Sequence, residues 1–352
     1  MTEGPPRPYT NYVPPVILRN TGKWRSHTVV QPGVIEHVSS SAEKVYTVRA
    51  ASTPNCRYST GTIRKIADLA DKYSAGHMRY TQAGNMEFFV QDLESVEGLI
   101  MELRELGFPV GGWGGRLWSI TSCAGYLHCA LAATDAPSIA KRIGDAVFEY
   151  FTEEQLPAKL TIASTGCPSA CGGGFVSDIS IVGIHTEVPV VTEAVKSCDL
   201  LGTTLVCPVG CIQIKQEGDH KTIEIRENMC IGCGLCVAAC SGIIFKTSEQ
   251  TDGHAIVVGG KASATNTGTQ LGRIVVPYLP NDPPNYDLTV KLVLRIIETW
   301  KADAGDGERI ATWINRIGWQ RFFKKTGLPY FEQSMEDLDM RALVTLREGG
   351  RR

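Results

Sequence analysis

The sequence predicts an α+β fold that is interrupted by a small cysteine-rich domain. Segments of strand-like alternation and segments of helical periodicity follow one another from residue 44 to residue 197, and strand-like segments return at 254–276. Between them, residues 198–253 are dense in cysteine. The chain has 352 residues, 43% of them hydrophobic, which is enough for two or three domains with their own cores. We therefore expect the cysteine-rich segment to be an insert in a larger domain.

The N-terminal residues 1–43 are predicted to form an extended arm, suited to packing on a partner subunit. Prolines in this segment exclude a long helix; they are Pro5, Pro6, Pro8, Pro14 and Pro15. We divide the remainder into four parts. These are an α+β domain at 44–120, a cysteine-bearing domain made of 121–197 together with 254–280, the insert at 198–253, and C-terminal helices with a tail at 281–352.

The segment 44–120 predicts a strand, a helix, a hairpin, a second helix and a final strand. The expected bounds are Lys44–Ala50, a helix from a cap at Ser59 or Thr60 to Gly76, the hairpin strands His77–Gln82 and Met86–Gln91, the helix Leu93–Leu106 and the strand Leu117–Thr121. This order of elements resembles one ferredoxin-like α+β half.

The remaining elements alternate around the cysteines. They are a helix that starts at Thr134-Asp135-Ala-Pro137, strands at Lys159–Ser164, Asp178–Ile184, His254–Val258 and Gly272–Val276, a rigid linker at Pro277–Pro284, and helices at Leu288–Trp300 and Glu308–Lys324. The cysteines fall at strand ends, where irregular backbone does not disturb the sheet.

Two cysteine pairs outside the insert predict one metal centre. Cys123 and Cys129 are spaced C-x5-C, and Cys167 and Cys171 are spaced C-x3-C. Four thiolates around one point suit an iron–sulfur cluster, whereas a structural zinc site usually shows C-x2-C or C-x4-C pairs. Glycines beside the second pair would let the backbone approach a bulky group, and they are Gly166, Gly172, Gly173 and Gly174.

The insert predicts a second centre of the bacterial ferredoxin type. Its run of Cys230, Cys233, Cys236 and Cys240 has the spacing C-x2-C-x2-C-x3-C, in which three cysteines and one remote cysteine hold a cubane cluster. We expect the remote ligand to be Cys207, which precedes a proline, with Cys240 as its competitor. Cysteines are missing from the positions that a further cluster would need, namely Ser197, Leu200 and Thr203.

The other cysteines are interpreted as packed thiols, and they are Cys56, Cys198, Cys211 and Cys240. For the twelve cysteines taken together, disulfides are the alternative to metal binding, but clustered cysteines in a chain of this size without an export signal more often bind metal.

Charge and hydropathy exclude several classes of function. Lys and Arg number 35 and Asp and Glu number 37, so no excess charge points to nucleic acid or to a membrane surface. No apolar run reaches the length of a membrane span, and the N-terminus lacks the pattern of a signal peptide. We expect a cytoplasmic protein with no direct membrane insertion.

With the cysteines placed, the chain resembles the beta-subunit family of dissimilatory sulfite reductases. The stretches that carry the resemblance are Gly22-Lys-Trp24, Gln31-Pro-Gly-Val-Ile35, Ile66-Ala-Asp-Leu-Ala-Asp-Lys-Tyr73, Asn85-Met-Glu-Phe-Phe-Val90, Gly125-Tyr-Leu-His-Cys129, Ser177-Asp-Ile-Ser-Ile-Val-Gly-Ile-His185, the cysteine-rich insert, Val276-Pro-Tyr-Leu-Pro-Asn281 and Arg316-Ile-Gly-Trp319. They cover nearly the whole chain, so the resemblance is far more specific than any single motif.

The resemblance implies a sirohaem bridged through a cysteine to a [4Fe-4S] cluster, and a second [4Fe-4S] cluster in the inserted ferredoxin domain. Carried over, Cys129, Cys167 and Cys171 are ligands of the sirohaem-side cluster, and Cys171 is the bridge. The fourth ligand departs from the family, in which a Cys-Cys pair precedes the x3 spacing. Here position 166 is Gly, and Cys123 supplies the fourth thiolate, as in alpha subunits and assimilatory reductases.

The implied reaction is the six-electron reduction of sulfite towards sulfide, or the reverse oxidation. Alternatives are an assimilatory sulfite or nitrite reductase, and an electron-transfer or scaffold subunit with a silent sirohaem. The implied partners are an alpha subunit, in an alpha2beta2 assembly, and a small sulfur-carrier protein of the DsrC type.

Side chains must hold the anion and supply protons while the cofactor carries the electrons. Candidate cations are Arg57, Arg64, Arg79 and Arg116. Of these, Arg79 and Arg116 lie nearest to strand ends and cluster loops. For each arginine the alternative is a surface or haem-carboxylate contact, because the resemblance implies that the substrate-side cations come largely from the alpha partner. His128, beside Cys129, is the candidate for a role at the haem face, and a structural, hydrogen-bonded histidine is the alternative.

Overall fold

The computed structural model describes residues 9–246, 252–263 and 268–330. The helices of this part of the chain are α1 (Pro15–Arg19), α2 (Thr60–Tyr73), α3 (Leu93–Glu105), α4 (Ala136–Ala146), α5 (Phe148–Thr152), α6 (Leu200–Leu205), α7 (Leu235–Ala239), α8 (Asp287–Asp303), α9 (Ile310–Ile317) and α10 (Trp319–Thr326). None of these helices has both the length and the apolar character needed to cross a membrane.

The strands of the described residues form two larger sheets and two small ones. They are β1 (Trp24–Gln31), β2 (Val34–Ser39), β3 (Lys44–Ala50), β4 (Met78–Tyr80), β5 (Met86–Val90), β6 (Leu117–Ser122), β7 (Leu160–Thr165), β8 (Ile179–Ile184), β9 (Val190–Val191), β10 (Ile212–Glu217), β11 (His220–Ile225), β12 (Ile243–Ile244), β13 (Gly253–Val258) and β14 (Arg273–Pro280). The chain divides into one unit within Met1–Ser119 and Val147–Leu160 and another within Ile120–Ala146 and Thr161–Arg352.

The first unit contains an antiparallel sheet in the order β1-β2-β3-β5-β4 and the helices α2 and α3. Val48 lies opposite Phe88 in the register of β3 and β5, and both are buried in one apolar cluster with Leu99 of α3. The predicted cap of α2 is confirmed, since Ser59 accepts a hydrogen bond from the Thr62 amide at 3.0 Å. Asp92, which the sequence analysis did not single out, caps α3. The α+β prediction is confirmed.

The predicted extended arm is wrong for residues 24–39, which form β1 and β2. Most side chains of β1 are exposed, so its sequence shows no apolar alternation from which a strand could be predicted. The pairing of β1 and β2 places Val34 in the buried cluster of the sheet.

The second unit is organised around a sheet in the order β14-β13-β8-β7-β6. Strands β7 and β8 are parallel, and β13 is antiparallel to both β8 and β14. Ile184, at the end of β8, lies opposite Gly253, at the start of β13. The cysteine-rich segment between them therefore leaves and re-enters the sheet at one end of two neighbouring strands.

Two boundaries differ from the sequence predictions. The predicted linker at Pro277–Pro284 begins too early, because β14 continues to Pro280. Strand β14 is at the edge of the sheet and its register with β13 shifts between Val276 and Leu279, positions at which a proline is tolerated. The predicted helix Glu308–Lys324 is two helices, α9 and α10. They are separated at Gly318, whose φ of 80° and ψ of 154° are not helical.

Candidate metal centres

Cys123 and Cys167 lie where β6 and β7 end. Cys123 follows β6 directly, and its amide donates a hydrogen bond to the Ser164 carbonyl of β7 at 3.1 Å. The Gly166 amide, just past β7, donates to Cys123 Sγ at 3.0 Å. These two contacts place the Cys123 sulfur beside the loop that carries Cys167.

Cys129 and Cys167 complete a group of three neighbouring thiols with Cys123. The loop of Cys129 is held to the end of β7, because the Ala133 amide donates to the Gly166 carbonyl at 2.6 Å. Burial raises the pKa of the Cys167 thiol, and the nearby thiols of Cys129 and Cys123 raise it further. Three of the predicted ligands therefore lie close enough for their thiols to interact electrostatically.

Cys171 lies in a loop that is drawn against the same strands through Gly172. A Cβ atom built at Gly172 would lie 2.8 Å from the Ser164 carbonyl oxygen and 2.9 Å from the Cys123 nitrogen, so no other residue fits without a shift. Gly173 adopts a φ of 89°, which favours glycine. The Cys171 thiol itself is exposed, whereas the Cys167 thiol is buried.

The surroundings of Cys123 fit a polar group of non-protein origin. The hydroxyls of Ser122 and Ser164 are buried, and neither has a hydrogen-bond partner in the described part of the chain. In the same part of the chain, no three His, Cys, Asp or Glu side chains are arranged around a single metal ion. An iron–sulfur cluster instead offers several iron atoms to separate cysteines, and an all-sulfur donor set suits it.

The insert contains a second group of thiols, which line one apolar pocket. The cysteines of this pocket are Cys207, Cys211, Cys230, Cys233 and Cys236, and four of them are the predicted ligands. Burial, followed by the neighbouring thiols of Cys230 and Cys233, raises the pKa of Cys236 to about 12. Thiolates crowded in this way need the positive charge of a metal to form together at neutral pH.

Sequence reasoning missed Cys211, which was interpreted as a packed thiol away from the cluster. Its sulfur lies 3.4 Å from the Cys207 sulfur, and its amide donates to Cys207 Sγ at 3.3 Å. The sequence feature that could have indicated the position of Cys211 is the short loop Cys207-Pro-Val-Gly-Cys211, in which Gly210 adopts a φ of 63°.

Cys198 and Cys240 were also predicted to be packed thiols, and this is wrong because they form a disulfide. Their Cα atoms are 5.6 Å apart, within the range that a disulfide spans. In this state Cys240 does not compete with Cys207 for the cluster.

The three predicted catalytic residues have different surroundings. His128 is exposed in the second unit beside Cys129. Arg79 and Arg116 belong to the first unit, where Arg79 pairs with the buried carboxylate of Glu87 at 2.6 Å. Arg116 donates from Nη1 to the Trp113 carbonyl at 3.3 Å, while its Nε is buried and has no partner among the described residues.

Arg49 is a buried cation that the sequence analysis did not single out. It donates to Glu87 from Nε at 2.9 Å and from Nη2 at 2.6 Å, and its guanidinium lies 3.5 Å from the centre of the Trp113 ring. Nothing in the sequence indicated this role, because a single arginine within a predicted strand is usually assigned to the solvent-exposed face of the sheet.

The insert contacts the loop of Cys129 through Leu131 and Gly234. A Cβ atom at Gly234 would lie 2.9 Å from Leu131 Cδ2 and 3.2 Å from the ring of Phe245, so the absence of a side chain permits this approach. His185 stacks on Phe245 with 3.6 Å between ring centres and donates from Nε2 to the Leu131 carbonyl at 3.1 Å. Its Nδ1 pairs with the buried Asp252 at 2.9 Å.

Two family models match parts of the chain that contain the elements described above. Residues 113–334 match the family described as nitrite and sulphite reductase 4Fe-4S domain. Residues 37–106 match the nitrite/sulfite reductase ferredoxin-like half domain. The family matches thus include the cysteine-bearing loops and most of the first sheet.

Two curated relatives match almost from end to end. The chain is 41% identical over 343 residues to the protein named sulfite reductase, dissimilatory-type subunit beta, of Archaeoglobus fulgidus, covering 95% of this chain and 92% of that protein. It is 37% identical over 361 residues to the protein of the same name from Nitratidesulfovibrio vulgaris, covering 99% and 94%. The crystal structure of dissimilatory sulfite reductase I shares the fold, with a TM-score of 0.80 and 21% identity over 90% of this chain and 79% of that one.

Proposed function

Because the chain belongs to the beta-subunit family of dissimilatory sulfite reductases, we propose that it serves as the beta subunit of such an enzyme in sulfite reduction. The observation that carries the proposal is the proximity of the Cys123, Cys129 and Cys167 thiols, with the loop of Cys171 held against the Cys123 backbone through Gly172. An all-sulfur donor set with an exposed member suits a cluster that is bridged to a second group.

We propose two [4Fe-4S] clusters and one sirohaem per chain. The sirohaem-side ligands would be Cys123, Cys129, Cys167 and Cys171, and the ligands in the insert would be Cys207, Cys230, Cys233 and Cys236. The unpartnered hydroxyls of Ser122 and Ser164 support the first site, and the shared pocket of the insert cysteines supports the second.

When bound, the sirohaem and its coupled cluster supply the six-electron chemistry that reduction of sulfite to sulfide requires. The chain's own residues hold and shield these groups. Cys171 would bridge to the haem iron from its exposed position, and Gly172 and Gly173 would let the backbone approach the macrocycle. His128 is our candidate for a polar contact and proton delivery at the haem face.

The cationic groups proposed to contact sulfite or the haem carboxylates are Arg79 and Arg116. The buried Nε of Arg116 has no protein partner in the described structure, which supports such a contact. Arg79 is the weaker of the two, because Glu87 already offsets its charge.

The proposed assembly is an alpha2beta2 complex in the cytoplasm, served by a small sulfur-carrier protein of the DsrC type. The names of the full-length relatives support a partner subunit, since both are described as subunit beta.

Replacing Cys123 with alanine in the complete complex tests the proposal. We expect loss of about four of about eight cluster iron atoms per chain, altered sirohaem absorbance and loss of sulfite reduction. Cys56→Ala is the matched control, because Cys56 is a free, exposed cysteine of the first unit. Unchanged iron content and absorbance in Cys123→Ala would exclude Cys123 as a ligand, and absence of sirohaem from the unmodified complex would exclude the function.

A further inference from the structure

Five cysteines line the pocket of the insert, whereas a [4Fe-4S] cluster takes one cysteine ligand on each of its four iron atoms. Three of its cysteines, Cys230, Cys233 and Cys236, belong to the compact run at the start of α7. The other two, Cys207 and Cys211, lie at the two ends of one short loop. The surplus thiol therefore belongs to this loop.

Contacts between the sulfur atoms place Cys211 in the same pocket as the proposed ligands. Cys211 Sγ is 3.4 Å from Cys207 Sγ, and the Cys211 thiol is also hydrogen-bonded to Cys230. Its side chain is buried, with 3% of the residue exposed. Gly210 turns the loop with a φ of 63°, so both sulfur atoms face the pocket.

The four sulfur ligands of a cubane point outwards to four different iron atoms. Two sulfur atoms as close as those of Cys207 and Cys211 are better placed to reach the same iron than two different ones. The amide of Cys211 donates to Cys207 Sγ, as amides commonly do to ligating sulfur, which marks Cys207 as the resident ligand.

We propose that Cys211 is a reserve ligand for the iron corner that Cys207 occupies, an inference that rests on the proposed function. In the exchange, the iron–sulfur bond to Cys207 breaks and a bond to Cys211 forms. The proton released by the Cys211 thiol is taken up by the Cys207 thiolate. Charge and oxidation state are unchanged, so the step needs no oxidant or reductant. The insert thereby keeps four sulfur ligands on its cluster when the bond to Cys207 breaks.

The test compares Cys207→Ala, Cys211→Ala and the double variant in the complete complex, purified without oxygen. Iron, acid-labile sulfide and the electron paramagnetic resonance (EPR) signal of the reduced insert cluster are measured, and Cys56→Ala is the control. We expect both single variants to keep the insert cluster, with altered EPR g values in Cys207→Ala. The double variant should lose about four iron atoms per chain and keep its sirohaem absorbance.

The proposal is overturned if Cys207→Ala loses as much iron as the double variant. It is equally overturned if Cys207→Ala fails to assemble while Cys211→Ala assembles, because a reserve ligand would rescue the first variant. Failure of the proposed function is distinguishable, since the unmodified complex would then lack sirohaem absorbance or the insert signal before any substitution is made.

Discussion

The carboxylate of Glu87 is fully buried between two arginines. Its Oε1 accepts two hydrogen bonds from Arg49, and its Oε2 accepts one from Arg79 at 2.6 Å. The residue has no exposed surface, and the Arg49 side chain is 6% exposed. Charges of this kind are tolerated in a protein interior because each oxygen and each guanidinium has a partner.

Glu87→Gln should lower the free energy of unfolding of the chain by about 3–5 kcal/mol, because it leaves the buried charge of Arg49 without a counter-charge. Urea denaturation measures the change. Glu43→Gln is the matched control, since Glu43 pairs with Arg19 at the surface, and we expect a much smaller loss there. Equal losses in the two variants would contradict the role given to Glu87.

The spacing of cysteines along the sequence was enough to predict candidate ligands. Residues whose role depends only on packing in the folded chain were missed. Cys123, Cys129 and Cys167 were expected to share one cluster; their thiols lie close enough to interact electrostatically, and their role as ligands stays a prediction. Arg49 and Cys211 were missed. Their positions depend on strand register and on the turn at Gly210, neither of which leaves a periodic pattern in the sequence.

Helices α9 and α10 are separate elements because of the backbone at Gly318. Its φ of 80° and ψ of 154° lie in a region that is essentially limited to glycine. The turn allows Trp313 of α9 and Phe322 of α10 to pack edge to face, with 5.8 Å between ring centres.

Gly318→Ala should destabilise the folded chain by about 1–3 kcal/mol, the cost of forcing a side chain into this backbone conformation. Thermal unfolding followed by circular dichroism measures it. Gly305→Ala is the control, because only a Glu308 side-chain oxygen at 3.9 Å lies near a Cβ built at that glycine, and its φ is outside the left-handed region. A Gly318→Ala variant as stable as Gly305→Ala would show that the break does not depend on glycine.

Elements with strong periodicity were predicted to within a few residues, and elements that depend on neighbours were not. Strand β3 has the predicted bounds, and α2 starts beside the predicted cap at Ser59. Strand β1 escaped prediction because its side chains are mostly exposed. The break at Gly318 escaped because one glycine within a helical pattern also fits an unbroken helix.

The stability of the whole chain should depend on pH through His254. This residue is buried, hydrogen-bonded to Thr289 and Asn281, and burial lowers its pKa to about 4. An unfolded histidine, with a pKa near 6.5, takes up a proton in a range where the folded one does not. Acid therefore favours the unfolded chain.

Between pH 6.5 and pH 4 the free energy of unfolding should fall, by up to about 3 kcal/mol from His254. Denaturation curves at several pH values measure the slope. In His254→Gln the slope should be smaller than in the unmodified chain, whereas His220→Gln, at an exposed position of β11, should retain it. An unchanged slope in His254→Gln would contradict the assignment.

In the second unit, the cysteine-rich segment contacts the loop of Cys129 through Gly234 and Leu131, and His185, paired with the buried Asp252, hydrogen-bonds to the Leu131 carbonyl. Leu131 is two residues from Cys129, and Gly234 directly follows Cys233. Folding alone thus sets the spacing between the two sulfur-rich loops. Under the proposed function, the separation between the groups that these two loops would hold is then set by packing and not by a moving segment.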